Sequence, residues 1–334
     1  MLRFALILAL PSIAFVHDFG RTVCAREFYV ASWNLENLFD TVDDPNLEGD
    51  EEFTPDAPKK WTPERLNIKL GNQARIISKM NGGRGPDVLG LCEVENRQVV
   101  EMLVAKLAPL GRKYEIVHQD SPSDRGIDCA LLYDANVFEL IDSKFHFIDA
   151  SRTRDIVEAR LRHDGADLYV FMDHWPSRGN DEWQRCLAGV VLRKRLDQIL
   201  AADPQADFLL LGDFNDEIMN VSLTKFLRVS PTPENLPAGT LYDTGAYLQA
   251  AGKGTYVYEN KWDLLDHIII SPGLLDSHGY HWKPGSTQTV EFPEVFFHPR
   301  FPGAISRPSR SYSGSNFHKD GYSDHLAVGC VIVQ

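Results

Sequence analysis

The 334-residue chain is 43% hydrophobic and 24% charged, which excludes collagen-like, disordered and coiled-coil architectures. Its net charge of −13 argues against a protein that grips nucleic acid by wholesale neutralisation of phosphates. It leaves room for one that touches a few phosphates in a single cleft. Length alone predicts about two domains, or one large α/β or double-sheet unit.

The N-terminus reads as a leader. Arg3 precedes the apolar run Phe4 to Val16, and Val23-Cys24-Ala25 offers small residues at a cleavage point, the pattern of a secretory signal peptide. The run, interrupted by Pro11, falls short of the ~20 residues a spanning helix needs. No stable membrane span is expected. Residues 1–25 are assigned to the signal and 26–334 to the folded unit, with a periplasmic or secreted location. Loss of Arg3, Asp18 and Arg21 leaves a charge of −14 and four cysteines, Cys92, Cys129, Cys186 and Cys330. Two disulfides are then permitted, in any of three connectivities. The strand-like runs around Cys92, Cys129 and Cys330 favour free, buried thiols.

Strand-like and helical patterns then alternate. Glu27–Trp33 reads as a strand, and Asp43–Glu52 as a solvated acidic loop. Thr62-Pro63 opens a helix with Thr as its cap and Pro in the first turn, and Leu66, Leu70, Ala74 and Ile77 give it one apolar face. Strand Asp87–Val94 leads into a second helix capped by Glu95 and Asn96, whose core face is Val99, Val100, Leu103 and Leu107. Gly111 ends it. Strands follow at Tyr114–His118, Cys129–Tyr133, Phe138–Ile148, Ile156–His163 and Leu168–His174. A helix over Glu182–Ala201 comes next, its Arg193-Lys194-Arg195 run read as a solvated face. The remaining strands are Phe208–Gly212, Leu265–Ser271 and Leu326–Val333. The stretch Pro284–Tyr322, rich in Pro, Ser, Gly and Arg, reads as a long loop serving as a binding rim or a lid. This order predicts two layers of sheet with helices outside.

Six apolar strands end abruptly in carboxylate, amide or imidazole. They lead into Asn34-Leu35-Glu36-Asn37, Glu93-Val94-Glu95-Asn96, Asp173-His174-Trp175-Pro176-Ser177-Arg178, Asp213-Phe214-Asn215-Asp216, Asp266-His267 and Ser323-Asp324-His325. Hard oxygen donors beside amides and imidazoles suit a divalent cation of the magnesium type. No Cys-x-x-Cys pair or His-Glu-x-x-His helix favours zinc. Asp213 and Asn215, two apart on an extended chain, face one side. Asp324 can orient His325, whose imidazole titrates near neutral pH.

On these motifs, in this order, the chain from about Phe28 to Val333 resembles the endonuclease/exonuclease/phosphatase superfamily. Its members include pancreatic-type deoxyribonucleases, neutral sphingomyelinases and inositol polyphosphate 5-phosphatases. The resemblance implies a four-layer α/β sandwich of two packed mixed β-sheets flanked by helices. It implies metal-dependent hydrolysis of a phosphoester with Mg²⁺ or Mn²⁺. Glu93 and Asp324, with Asn34, correspond to the metal-binding positions. Asp213 corresponds to the residue that orients water, Asn215 to the one that holds phosphate, Asp266 to a supporting carboxylate, and His174 and His325 to catalytic imidazoles. Glu36 matches a position that in some relatives neighbours the metal, or else is a solvated carboxylate.

Arg125 and Arg178 are candidates to clamp the substrate phosphate. Arg307, Arg310 and Lys319, in the loop before Asp324, are candidates for substrate selection. Trp61, Trp175 and Trp262 fit a cleft or, more simply, the core. The expected partner is a phosphodiester substrate, nucleic acid first, a lipid or inositol phosphate second, handled by a monomer. A non-catalytic binding protein on the same fold is a further alternative, opposed by the full set of motif residues.

Overall fold

The computed structural model describes residues 25–334 apart from 46, 48, 151 and 152. The leader assigned to residues 1–25 thus lies, save for Ala25, outside the described residues. Among the described residues twenty strands are formed. The first half contributes β1 (Glu27–Leu38), β2 (Val88–Val94), β3 (Tyr114–His118), β4 (Asp128–Asp134), β5 (Glu139–His146), β6 (Ile156–His163), β7 (Ala166–His174) and β8 (Phe208–Asp213). After these come β9 (Val229–Ser230), β10 (Leu241–Asp243), β11 (Tyr256–Tyr258), β12 (Lys261–Asp263), β13 (Asp266–Ile270), β14 (His281–Trp282) and β15 (Gln288–Thr289). The last are β16 (Phe296–Phe297), β17 (Arg307–Pro308), β18 (Tyr312–Ser313), β19 (Asn316–Phe317) and β20 (Val328–Val333). The helices are α1 (Pro63–Gly83), α2 (Arg97–Leu107), α3 (Glu182–Ala202) and α4 (Ala246–Ala250).

Two seven-stranded mixed sheets carry the fold. One runs β14-β20-β1-β2-β4-β3 with β15 also on β20, and the other β5-β6-β7-β8-β13-β10-β9. Side-chain alternation assigns the layers. On β8, Leu209 and Leu211 join Val30, Val88, Met172 and Cys330 between the sheets, while Phe208 and Leu210 turn outward onto Leu192 and Leu196 of α3. Trp33, Leu89 and Leu91 point the other way, under Leu70, Ile77 and Leu103 of α1 and α2. Helix, sheet, sheet and helix form the four expected layers. The four cysteines among the described residues are free, with Cys92, Cys129 and Cys330 buried.

The helix starts obey local capping chemistry. Thr62 accepts from the Arg65 N–H at 3.4 Å, and Asn96 from the Val99 N–H at 2.9 Å. Helical geometry in α1 ends at Met80, where Asn81 and Gly82 take positive φ. Several expectations need correction. Glu95 does not cap α2; its carboxylate accepts the Asp40 N–H at 2.6 Å. Within the acidic stretch, Asp50 is buried rather than solvated and accepts the Asp44 N–H at 2.8 Å. The Arg193-Lys194-Arg195 run is not simply a wet face. Arg193 is buried and donates to the Gly239 carbonyl at 2.8 Å, and Arg195 grips Glu158 on β6 with bonds of 2.6 and 2.7 Å. The 284–322 stretch forms two small hairpins, β16–β17 and β18–β19. Trp61 and Trp175 are core, and Trp262 packs on the core edge against Phe296.

β1 runs parallel to β2 and β7 parallel to β8, whereas β20 and β13 are antiparallel neighbours. The C-terminal ends of four strands and the starts of two therefore meet along one edge of the sandwich. Gly212 makes this possible on one side. Its φ is +138°, and a Cβ there would sit 1.9 Å from the Asp173 carbonyl oxygen. Replacing Gly212 by Ala is expected to cost about 3 kcal/mol, because backbone rather than a flexible side chain must yield; a denaturant midpoint equal to wild type would refute that.

The Glu158 contact makes a second expectation. Burial alone would raise its carboxyl, but Arg195 and His146 prevail and hold it at about 2. A carboxylate depressed in this way stabilises the fold above its ordinary value of 4.5, and the contribution fades as pH falls towards 2. Glu158→Gln should therefore cost about 3 kcal/mol at pH 7, with the gap to wild type closing in acid; a pH-independent gap in chemical unfolding contradicts the assignment.

Candidate active site

The site is assembled where the two sheets end. In register, His174 of β7 lies beside Asp213 of β8, and Asp266 of β13 lies on the other side of Asp213. From the facing sheet come Asn34 of β1 and Glu93 of β2, and His325 precedes β20. Irregular backbone aims the two contributions of the first sheet. The β1–β2 register shifts between Asn34 and Leu38, and the β2–β4 register between Cys92 and Val94. Glu36, Asn37 and Glu93 all have positive φ, as expected where bulges redirect side chains next to a site.

Asp213 is the junction of these groups. Its Oδ2 accepts from Asn34 Nδ2 at 3.1 Å, and its Oδ1 accepts the Asn215 N–H at 2.9 Å. Nε2 of His174 and Nε2 of His325 each lie 3.7 Å from Oδ2. Nδ1 of His325 is 2.7 Å from Asp266 Oδ2, so the ring is held from behind with its other nitrogen forward. The Thr255 hydroxyl in turn accepts the Asp266 N–H at 3.2 Å. Asp213, Asp266 and His325 thus form a buried group whose candidate ligand atoms lie within 4.8 Å of one another.

The two imidazoles are driven apart electrically. Burial opposes charge on His325, yet Asp266 and Asp213 hold it well above the usual imidazole range. Burial pushes His174 well below that range, and Arg154 and Arg125 add to the effect. Burial, with Asp266 nearby and against the pull of His325, raises Asp213 to about 7. One imidazole favours the cation and the other the neutral ring, with a carboxyl between them whose hold on a proton is strengthened by burial.

A cleft of about 600 Å³ opens over these groups, lined by Glu93, His174, Asp213, Asn215, Asp324 and His325 with Arg125, Arg178, Tyr256 and Tyr258. Asn34 and Asp266 stand one layer behind it. The Asn215 side-chain amide is turned away to the Trp175 carbonyl at 3.0 Å. Arg125 reaches Glu93 at 3.2 Å and Asn37 at 2.8 Å, while Arg178 is paired with Asp263 at 2.7 Å over the Tyr258 ring. Each arginine is therefore held in place at the rim.

The donor set fits a hard cation. Glu93 and Asp324 face the same cleft, and burial together with the charge of Glu93 raises the Asp324 carboxyl against the pull of His325. Arg125 and Arg310 each offset one of these carboxylates at the edge, and hard oxygen donors on one cleft are the kind a divalent ion takes. Asn34 is a less open donor, since its Oδ1 already accepts the Glu36 N–H at 2.9 Å. Glu36 is neither a cleft residue nor solvated. It is buried, with its Oε2 on the Ser311 N–H at 2.5 Å and Lys69 Nζ 3.9 Å away.

Four groups escaped sequence reasoning. Arg154 donates to the Trp175 carbonyl at 3.1 Å and biases His174 through space. Tyr256 lies 4.8 Å from the His325 ring and bridges its backbone. Tyr258 and Asn37 complete the rim. Nothing local marks Arg154, which sits just outside a strand in Thr153-Arg154-Asp155. The alternating Tyr256-Val257-Tyr258 was a readable signal for a strand with two aromatic residues on one side.

The family model for the endonuclease/exonuclease/phosphatase family matches residues 29–334. No curated protein is found to match by sequence. Among solved structures, the chain is similar to D. rerio TDP2 complexed with single strand DNA product, at 17% identity and a TM-score of 0.57, covering 92% of this chain and 98% of that one. It is also similar to a mannosyl-6-phosphatase of Bacteroides thetaiotaomicron, at 16% identity and a TM-score of 0.58, covering 92% and 100%. The human Nocturnin catalytic domain gives 18% identity and a TM-score of 0.53, covering 92% and 94%. At these identities the likeness speaks for the fold alone. With the family match running from β1 to the C-terminus, the chain belongs to the endonuclease/exonuclease/phosphatase family and is a phosphoric ester hydrolase.

Proposed function

We propose that the protein is a divalent-metal-dependent phosphodiesterase of nuclease type, acting on short or terminal stretches of nucleic acid. The observation that carries this reading is the convergence of Glu93, Asp324, His174, Asp213 and His325 on one cleft walled by Tyr256 and Tyr258. Aromatic faces beside a phosphate site suit bases flanking a scissile diester. The TDP2 structure holds single strand DNA product on the same fold. The charge of −13 favours a local grip over a long one.

In this reading Glu93 and Asp324 would hold Mg²⁺ or Mn²⁺, which would supply charge neutralisation on the phosphate, while Asn34 steers Asp213 from behind. Asp213 Oδ2, fixed by Asn34, orients the attacking water and receives its proton. As the new phosphorus–oxygen bond forms and the ester bond breaks, the cationic His325 supplies a proton to the leaving oxygen, while the neutral ring of His174 hydrogen-bonds the phosphate. Asp266 keeps His325 in register and charged. Arg125 and Arg178 border the cleft, ready to meet the phosphate and its neighbour.

The tests are direct. Purified protein should cleave an oligonucleotide with Mg²⁺ or Mn²⁺ and stop with chelator. His325→Ala and Asp213→Asn should each lower kcat by about 10²–10⁴-fold, with folding intact by circular dichroism. Phosphorylated mannose, sphingomyelin and an inositol phosphate serve as comparison substrates. Turnover of one of these in place of the oligonucleotide moves the substrate class, and no turnover of any with either metal rejects the catalytic reading.

We propose export as well, on the leader pattern at residues 1–25. The N-terminal mass of protein recovered outside the cytoplasm should lack that segment; a chain beginning at Met1 would overturn this.

A further inference from the structure

A second cavity of about 500 Å³ adjoins the catalytic cleft. Asp324 lines both, and the strand β11 stands between them. Alternation along that strand places Tyr256 and Tyr258 on the cleft side and Val257 on the other. The second cavity is cationic where the first is acidic: Arg307, Arg310 and Lys319 line it, with Asp320 the one further carboxylate. Phe297 and Phe317 give it aromatic walls, and Ser309 and Ser313 line it too. Arg310 lies 3.6 Å from Asp324, at the seam between the two cavities. The Arg307 Nε is buried without a hydrogen-bond partner.

The cavity is also prebuilt. The segment bearing these cations is strapped to one face of α1. Lys69 Nζ donates to the Ser311 hydroxyl at 2.9 Å, and Asn72 Nδ2 donates to the Lys319 and Gly321 carbonyls at 2.9 and 2.8 Å. Arg75 donates to the Tyr322 hydroxyl at 2.6 Å. Lys69, Asn72 and Arg75 are spaced by three residues, so they share a helix face. A backbone held in this way carries its cations from fixed positions, so that little main-chain freedom is lost on binding.

We infer that this cavity is a second phosphate subsite, and that the natural substrate carries, besides the scissile phosphoester, another phosphate on the same molecule that Arg307, Arg310 and Lys319 hold across β11. The inference rests on the catalytic reading above, because the subsite is defined by its adjoining Asp324. Guanidinium groups match phosphate bidentately, and the two phenylalanines suit the base or carbon skeleton that joins the phosphates. A second phosphate occurs both in an oligonucleotide and in a doubly phosphorylated small molecule, and the test separates them.

Three substrate sets would be assayed with Mg²⁺. Bis(4-nitrophenyl) phosphate, with a single phosphate, reports the catalytic centre alone. A 5′-phosphorylated thymidine dinucleotide is compared with its unphosphorylated counterpart, and a hexose bisphosphate with the hexose monophosphate. In one pair the second phosphate should lower KM by about 10- to 100-fold, the span expected for charge-assisted contacts. Arg307→Gln combined with Lys319→Gln should collapse that ratio towards one, and Arg307→Lys should recover part of it. The responding pair identifies the source of the phosphate. If wild type turns substrate over yet neither pair shows an advantage, or the double variant keeps it, the subsite is overturned while the catalytic reading stands. If no substrate in any set is turned over, the catalytic reading itself has failed. The wild-type ratios need no substitution, so the inference stays testable even if the double variant folds poorly.

Discussion

The hydrogen bond from Asn34 to Asp213 joins the two sheets at the site. Asn34 belongs to β1 of one sheet and Asp213 to β8 of the other, so the bond exists only if the sandwich is packed in one register. His325 repeats the dependence, since it precedes β20 of the first sheet and leans on Asp266 of β13 in the second. A one-residue slip in either sheet would reverse every side chain and dissolve the cluster. The tight packing between sheets, with Gly212 allowing β7 and β8 to close, is therefore a condition of the chemistry as well as of stability.

That dependence explains the electrical asymmetry of the site. Burial acts on both imidazoles in the same direction, against charge. Only His325 has a carboxylate at hydrogen-bond distance behind it, whereas His174 has the buried Arg154 and the nearby Arg125 in its field. Two chemically identical side chains thus acquire opposite charge preferences from the sheets that frame them. Asp213, between them, inherits both influences. The acidity of the whole chain, which weighs against a broad nucleic-acid surface, is compatible with this arrangement because Glu93 and Asp324 are set where a cation would offset them.

How much of this was legible in the sequence depends on the range over which each feature is determined. The Thr62 and Asn96 caps, the apolar faces of α1 and α2 and the strand ends bearing Asn34, Glu93, His174, Asp213, Asp266 and His325 are set by neighbours a few residues away, and they read directly. The positive φ of Glu93 is imposed by a bulge against β4, which no local pattern announces. Arg193 and Arg195 look like a solvated run until Gly239 and Glu158 are brought to them. Glu95 has every local qualification for helix capping, but the distant Asp40 N–H claims it. Arg154 enters the site only through the tertiary fold. In each case a long-range polar partner overrode a correct local propensity.

The 284–322 stretch shows the same principle from the opposite side. Its composition of Pro, Ser, Gly and Arg lacks the periodicity that would mark a strand or helix, which is why it reads as a loop. Its order comes from outside itself: Lys69, Asn72 and Arg75 on α1 hold its backbone and side chains, and Glu36 accepts the Ser311 N–H. The same segment then delivers Asp324 and His325 into the cleft. A strap that positions Asp324 and His325 also positions the cations a few residues upstream, so in the proposed reading the scissile phosphoester and a second anion are placed by one piece of chain. In that reading substrate selection and catalysis are coupled mechanically. Changes to α1 that loosen the strap must reach the arginines first, because the residues on either side of Asp324 are also bonded to the sheets, Ser323 to the Asn34 carbonyl of β1 and His325 to Asp266 of β13.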